Sequence, residues 1–207
     1  MTKPPSLDGA YNLKTPQDSI DLYAEWANTY DTDFADDHGY VLHAHVARAY
    51  VNAGGYQPVL DMGAGTGLCG QALRDRGLDA VDATDISADM LKVAEAKGLY
   101  QTLFVGDILA GLDVADGAYA GAVSSGTFTH GHVGPEALDE LLRVVRSGGV
   151  ICISINTEHF AAHGFEAKLA GLEPMCREIS KVEVPIYKDG AGEHASDTAF
   201  VTLIRKA

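Results

Sequence analysis

The chain has 207 residues, enough for a single domain with a full hydrophobic core. Its composition, 46% hydrophobic and 21% charged, is that of a globular protein, and no apolar run is long enough to span a bilayer. The formal net charge of −14 disfavours binding to nucleic acid, whose phosphates attract clustered Lys and Arg. We therefore expect a small-molecule substrate, no nucleic-acid partner and no membrane association.

The cysteines and the N-terminal residues indicate the compartment. Cys69, Cys152 and Cys176 are scattered and form no C-x-x-C pair, which predicts neither a disulfide framework nor a zinc site. The N-terminal residues contain no apolar signal-peptide core. We expect a cytoplasmic protein without a bound metal, as a monomer or a homodimer.

The N-terminal quarter predicts two helices ahead of a sheet. Residues 1–17 contain three prolines and no periodicity, so we expect a loose leader. Apolar residues at helical spacing predict a first helix over 20–30, and a second over 40–53 that ends at two glycines. We expect residues 18–55 to form a helical cap over a ligand site.

From residue 58 onward, strands alternate with helices. Strands are predicted at 58–62, 80–84, 101–105, 119–124, 149–156, 181–188 and 198–205. Helices are predicted from the first strand to 76, at 87–97, at 135–145 and at 165–172, with a hairpin turn at 189–192. Residues 56–207 therefore predict a doubly wound α/β core, Rossmann-like, in one domain spanning 1–207. Its sheet is seven-stranded and mostly parallel, with the last strand antiparallel.

A glycine-rich turn follows the first strand in the segment 59–67, VLDMGAGTG. The candidate ligand-binding residues there are Asp61, Gly63, Ala64 and Gly65, because glycines let the backbone approach a ligand that faces the next helix's N-terminus. A dinucleotide fingerprint over 65–70 is one interpretation. Leu68 stands where that fingerprint, begun at Gly63, requires glycine, and Asp61 favours a cationic group over a pyrophosphate.

Two further acidic residues end the next strands. Asp85 is placed to accept hydrogen bonds from ribose hydroxyls, or else supplies a negative charge at the next helix's N-terminus. Ile86 and Met90 lie on the same edge and are candidates to sandwich an adenine ring, with core packing as the alternative for Met90. In the segment Gly106, Asp107 and Ile108, the aspartate is placed for the adenine amino group, or is a turn residue.

The ordered motifs resemble those of the class I S-adenosylmethionine-dependent methyltransferases, from about residue 20 to residue 207. The segments 23–31 (YAEWANTYD) and 126–132 (GTFTHGH) are similar to the small methyltransferase-like branch that includes the Williams–Beuren-region protein and its bacterial relatives. The family's usual Pro-Gly-Gly before strand five is Ser-Gly-Gly at 147–149. The resemblance implies S-adenosylmethionine as cofactor and S-adenosylhomocysteine as product.

The resemblance also implies roles at the methyl-transfer end of the site. Tyr30 and Trp26 would reach the methionine part of the cofactor from the cap. Strand four would end beside the sulfonium, so Ser124 is expected at the cofactor and the segment after it at the acceptor. In that segment His130 and His132 are candidate bases, because histidine titrates near pH 6.5, or else solvent-exposed loop residues.

Three functions remain open at this point. The leading hypothesis is methyl transfer to a small-molecule acceptor. The second is a non-catalytic S-adenosylmethionine-binding or partner protein with the same fold. The third is a nicotinamide-dependent oxidoreductase that uses the glycines at 65, 67 and 70.

Overall fold

Seven strands form one sheet with helices on both faces in the computed structural model of the protein. The structure describes residues 9, 16–27, 29–31, 35, 39–129, 133–188 and 196–207. The strands are β1 (Val59–Met62), β2 (Val81–Asp85), β3 (Leu103–Val105), β4 (Tyr119–Phe128), β5 (Val145–Asn156), β6 (Cys176–Pro185) and β7 (Thr198–Lys206). The helices are α1 (Pro16–Trp26), α2 (Leu42–Asn52), α3 (Leu68–Arg74), α4 (Ala88–Ala96), α5 (Ala137–Val144), α6 (Thr157–Ala162) and α7 (Phe165–Leu172).

The strand order places a crevice at the middle of the sheet. The order is β3-β2-β1-β4-β5-β7-β6, with β1 to β5 parallel and β7 antiparallel to both of its neighbours. The connections leave β1 toward β2 on one side and return to β4 on the other, so a crevice forms at the carboxyl ends of β1 and β4. The predicted Rossmann-like sheet is confirmed, including its antiparallel last strand.

The central strands have nearly continuous apolar sequences because they are buried on both faces of the sheet. All four residues of β1 are buried, and β5 is buried from Gly149 to its end, because helices cover both faces. On one face Leu138 of α5 and Phe165 of α7 belong to a core cluster with Leu60 of β1. On the other face Tyr50 of α2 and Leu73 of α3 belong to a second cluster.

Several element bounds differ from the predicted ones. α1 begins at Pro16, inside the predicted leader, because proline is well tolerated in the first turn of a helix. α6 was not predicted; the Asn156 side chain begins it by accepting the N–H groups of Glu158 and His159, 2.9 and 3.1 Å away. β4 continues to Phe128 rather than ending at residue 124. The predicted turn at 189–192 lies outside the described residues.

The start of α2 is fixed to the far edge of the sheet. Tyr40 forms an antiparallel bridge with Tyr187, which follows β6, and the Val41 N–H donates to the Ile186 carbonyl over 3.0 Å. Leu42 and Val46 are buried, so the helix is packed as well as bonded. These contacts hold the first turn of α2 over the carboxyl end of β4.

Candidate active site

A cleft opens at the carboxyl ends of β1 to β4, beneath the two N-terminal helices. It encloses about 1070 Å³ between its walls, open mouth included. Its lining contains most of the predicted cofactor residues: Tyr30, Gly63, Ala64, Gly65, Asp85, Ile86, Met90, Gly106, Asp107 and Ile108. Residues from separate stretches of the chain therefore converge where open α/β sheets bind ligands.

The glycine turn adopts backbone that other residues rarely adopt. Gly63, Gly65 and Gly67 have φ values of 68°, 55° and 94°. A Cβ on Gly63 would lie 2.0 Å from Thr127 Oγ1, whereas one on Gly65 would meet nothing within 4 Å. Gly63 is thus required by packing, and Gly65 is the position where the backbone faces the open cleft.

Asp85 links this turn to the next helix. Its Oδ2 accepts the Gly65 N–H and its Oδ1 accepts the Ser87 N–H, both over 2.8 Å. Burial raises its pKa, against the opposing effect of the backbone N–H groups. Each carboxylate oxygen can accept more than one hydrogen bond, so Asp85 can order the turn and still bind two hydroxyls.

Asp107, which follows β3, is both a turn residue and part of the cleft wall. Its Oδ1 accepts the Leu109 N–H over 2.9 Å, as a turn aspartate does, and the residue also lines the cleft beside Ile108. A Cβ on Gly106 would lie 2.7 Å from both Leu112 and Thr84, which explains the glycine by packing. Asp107 therefore faces the cleft from a rigid turn.

Three predicted cofactor residues lie behind the cleft rather than on its wall. Trp26 is buried among cap aromatics, with its ring centroid 5.3 Å from that of Tyr30. Asp61 is fully buried and accepts the Tyr100 hydroxyl over 2.6 Å, because alternation along β1 turns its side chain toward the α3 face. Ser124 is buried inside β4, which ends four residues later than predicted. His130 and His132 lie outside the described residues, so their role as bases stays a prediction.

The cleft also contains residues to which sequence reasoning gave no role. They are Tyr23, Tyr40, His43, Met62, Thr66, Leu68, Cys69, Thr84, Leu109 and Val133. The cleft is also lined by Ser125, Gly126 and Thr127, which belong to the segment expected at the acceptor and which lie within the longer β4. Tyr40 and His43 come from the start of α2, where no motif or periodicity distinguished them.

The dinucleotide interpretation depends on Gly70, which the structure places under a tyrosine. A Cβ at this position would lie 2.3 Å from the Tyr100 ring, and Gly70 is buried in α3. Packing against Tyr100 therefore accounts for this glycine. Close packing is also the role of the third glycine in a dinucleotide fingerprint, so Gly70 favours neither interpretation.

The buried Asp61 predicts a pH-dependent difference between the wild type and Asp61→Asn. Burial raises the pKa of Asp61 to about 7, against the hydrogen bond from Tyr100, and the charge of Asp85 adds to the rise. When the pKa of a carboxyl group is higher in the folded state than in the unfolded state, the free energy of unfolding falls as pH rises from the unfolded-state pKa to the folded-state pKa.

Without ligand, Asp61→Asn should therefore gain thermal stability over the wild type as pH rises from about 4 to about 7, with a constant difference above that. The gain is a few kcal/mol at most, since one pKa unit corresponds to about 1.4 kcal/mol. Melting curves at several pH values test this. A difference that does not change with pH would show that Asp61 is ionised throughout.

Comparison with known proteins agrees with the geometry. Residues 59–149, from β1 into β5, match the family model described as "Methyltransferase domain". In these residues the chain is similar to the class I S-adenosylmethionine-dependent methyltransferases. S-adenosylmethionine is the cofactor of this class, and the glycine turn, Asp85 and Asp107 lie within the matched residues.

Three similar proteins illustrate the range of the class. Human methyltransferase-like protein 27 is 28% identical over 156 residues, 72% of this chain and 62% of that protein. Demethylmenaquinone methyltransferase of Renibacterium salmoninarum is 36% identical over 98 residues, 47% of this chain and 40% of that protein. The chain thus spans less than two thirds of these relatives.

The third is a crystal structure of Burkholderia thailandensis 1,6-didemethyltoxoflavin-N1-methyltransferase with bound 1,6-didemethyltoxoflavin and S-adenosylhomocysteine. It superposes on the present chain with a TM-score of 0.63 at 19% identity, covering 94% of this chain and 92% of that one. Within the described ranges, no helix of the chain is long and apolar enough to cross a membrane. In the same ranges, no three His, Cys, Asp or Glu side chains cluster as metal ligands.

Proposed function

We propose that the protein binds S-adenosylmethionine in the cleft and transfers its methyl group to a small-molecule acceptor. The observation that supports this most strongly is the carboxylate of Asp85, which faces the cleft between the glycine turn and α4 and is hydrogen-bonded to both. That placement suits the two hydroxyls of a ribose. The proposal makes Asp85 the residue on which cofactor affinity depends most.

The cleft has two chemically different ends. Asp85, Ile86 and Met90 follow β2, and Asp107 and Ile108 follow β3, so an adenosine fits toward these strands. The tyrosines of the cap and the late residues of β4 form the other end. The methionine part then lies along Ala64 and Gly65, and the methyl group faces the cap and β4.

The chain's contribution to the reaction is alignment. When bound, S-adenosylmethionine supplies a methyl group on a positively charged sulfur, which a nucleophile attacks in line. The tyrosine-rich cap shields that position from water, and the rigid turns after β1, β2 and β3 hold the nucleoside in place. Such positioning converts a bimolecular displacement into an effectively intramolecular one.

A small-molecule acceptor is favoured by charge and by two relatives. The net charge of −14 opposes a nucleic-acid substrate. One relative is named for demethylmenaquinone and another for 1,6-didemethyltoxoflavin. The cytoplasmic location, the monomeric or dimeric state, and the division into leader, cap and core remain predictions alongside this one.

Methyl incorporation tests the proposal against a non-catalytic role. Purified protein with methyl-labelled S-adenosylmethionine is incubated with fractionated small-molecule extracts, and the label is followed into product. We expect transfer into at least one fraction with the wild type and none with Asp85→Ala. Cofactor binding without transfer into any fraction would favour the non-catalytic alternative.

A further inference from the structure

Three side chains from two distant parts of the chain meet at the cap end of the cleft. The Tyr40 hydroxyl lies 3.0 Å from the Ser125 hydroxyl, although the residues are 85 positions apart. The Tyr40 ring is stacked on the His43 ring, with centroids 5.5 Å apart and planes at 27°. All three residues line the cleft. They differ in chemistry from the carboxylates of Asp85 and Asp107, which line the same cleft.

The ring of His43 packs on Tyr40, but hydrogen bonding among the described residues does not account for its Nδ1. Its Nδ1 is buried and has no hydrogen-bond partner among the described residues. It does not cap α2, whose first residue follows Val41 without a side-chain cap. His45, two residues on, contrasts with it: it lies 2.8 Å from Arg48 on the exposed surface. Buried polar atoms nearly always have partners, so the unpaired Nδ1 means that hydrogen bonding within the described residues does not explain a histidine at this position on the cleft wall.

The surroundings of His43 define what such a ligand is. Tyr23, Tyr30 and Tyr40 give this end of the cleft flat aromatic walls. Among the described residues, no Lys or Arg lines the cleft, so an anionic acceptor has no counter-ion there. An uncharged ring with one protic heteroatom fits both the walls and the polar group.

We propose that Tyr40, His43 and Ser125 form the acceptor subsite and that His43 takes the proton from an uncharged phenol-like or N-heterocyclic acceptor. This proposal rests on the proposed function. The acceptor's O–H or N–H bond breaks and its proton passes to an imidazole nitrogen of His43. The freed electron pair forms the bond to the methyl carbon, while the carbon–sulfur electron pair stays on sulfur and leaves S-adenosylhomocysteine. The imidazolium then releases its proton to water.

The charges around His43 suit a base. Burial lowers its pKa from the usual value of 6.5, Arg76 and His45 lower it further, and Asp31 opposes them. Tyr40, the other titratable group stacked on it, stays protonated, since burial raises its pKa. His43 is therefore neutral near pH 7 and able to accept a proton. The methyl-transfer rate should rise with pH through a pKa below the usual histidine value and then level off.

Binding of small rings to the S-adenosylhomocysteine complex tests the subsite. Saturation-transfer NMR is measured with phenol, catechol, indole and imidazole, and with benzoate as the anionic probe. We expect at least one neutral ring to bind and benzoate to bind more weakly. His43→Gln should weaken ring binding by about tenfold, the effect of losing one hydrogen bond, and leave S-adenosylhomocysteine binding unchanged. His45→Gln is the matched control on the same helix and should change neither.

Proton transfer is tested with the ring that binds best and labelled S-adenosylmethionine. We expect His43→Gln to lower kcat by about 100-fold and to remove the acid limb of the pH profile, with a smaller effect on KM. His43→Asn provides a second variant if the first melts early. Failure of every neutral ring to bind, equal binding of benzoate, no transfer by the wild type, or unchanged kcat in both His43 variants would each overturn the proposal. If S-adenosylhomocysteine itself fails to bind the wild type, the proposed function fails instead.

Discussion

Replacing Asp85 with alanine should weaken S-adenosylhomocysteine binding by about 100-fold or more, the largest effect of any single substitution in the cleft. Each hydrogen bond from a ribose hydroxyl to this carboxylate contributes roughly 1.5–3 kcal/mol, and about 1.4 kcal/mol corresponds to a tenfold change in affinity. The variant also leaves the Gly65 and Ser87 N–H groups without their acceptor, so the turn loses order. Isothermal titration of both proteins measures the difference.

Asp89→Ala is the control for this substitution. Asp89 lies at the start of α4 and forms a surface ion pair with Lys92 over 2.7 Å. Its removal changes the same formal charge four residues further along the chain, and surface pairs contribute about 1 kcal/mol or less to stability. We expect its ligand affinity to equal that of the wild type. Equal weakening by both variants would indicate a general electrostatic effect rather than a hydroxyl-binding role of Asp85.

Gly65→Ala should reduce S-adenosylhomocysteine affinity by at least about tenfold, because the added methyl group enters the space that a ligand occupies against the turn. A Cβ at Gly65 meets no protein atom within 4 Å and so projects into the cleft. The residue has φ of 55°, where alanine costs about 1–2 kcal/mol. Affinity should therefore fall much more than this modest loss of stability explains.

Gly98→Ala is the control that separates the loss of ligand affinity from the loss of stability. Gly98 follows α4 with φ of 64°, and a Cβ there also meets nothing within 4 Å, but the residue does not line the cleft. Both alanine variants should lose a similar few degrees of melting temperature, and only Gly65→Ala should lose affinity. If the two variants bind S-adenosylhomocysteine equally well, the ligand does not approach the turn at Gly65.

The convergence of the proposed cofactor residues in one cleft was predictable because these residues follow strand ends directly. Once a strand is identified, its carboxyl end fixes where the next residue lies, and Gly65, Asp85 and Asp107 all meet in the cleft as expected. Asp61 shows the limit of this reasoning. It precedes the turn, yet the alternation of side chains along β1 buries it against Tyr100.

The proposed acceptor end was predictable only in part: the segment after strand four was expected there, whereas Tyr40 and His43 were not. His43 lies in the first turn of α2, and Tyr40 precedes this helix and bridges to Tyr187, a contact between residues remote in sequence that places both side chains over the cleft. Ser125 reaches the wall because β4 runs to Phe128, paired with Ile155 after a register shift. Pairing between distant strands determined this length, and no local pattern around Ser124 indicated it.

Calorimetric titration of S-adenosylhomocysteine into the wild-type protein measures whether the cleft binds the adenosine cofactor of methyl transfer. We expect one molecule to bind per chain with a Kd of about 1 μM or tighter, and NADH, titrated in parallel, to give no heat of binding. The absence of S-adenosylhomocysteine binding at about 1 mM ligand, or tighter binding of NADH, would show that the cleft is not a site for this cofactor.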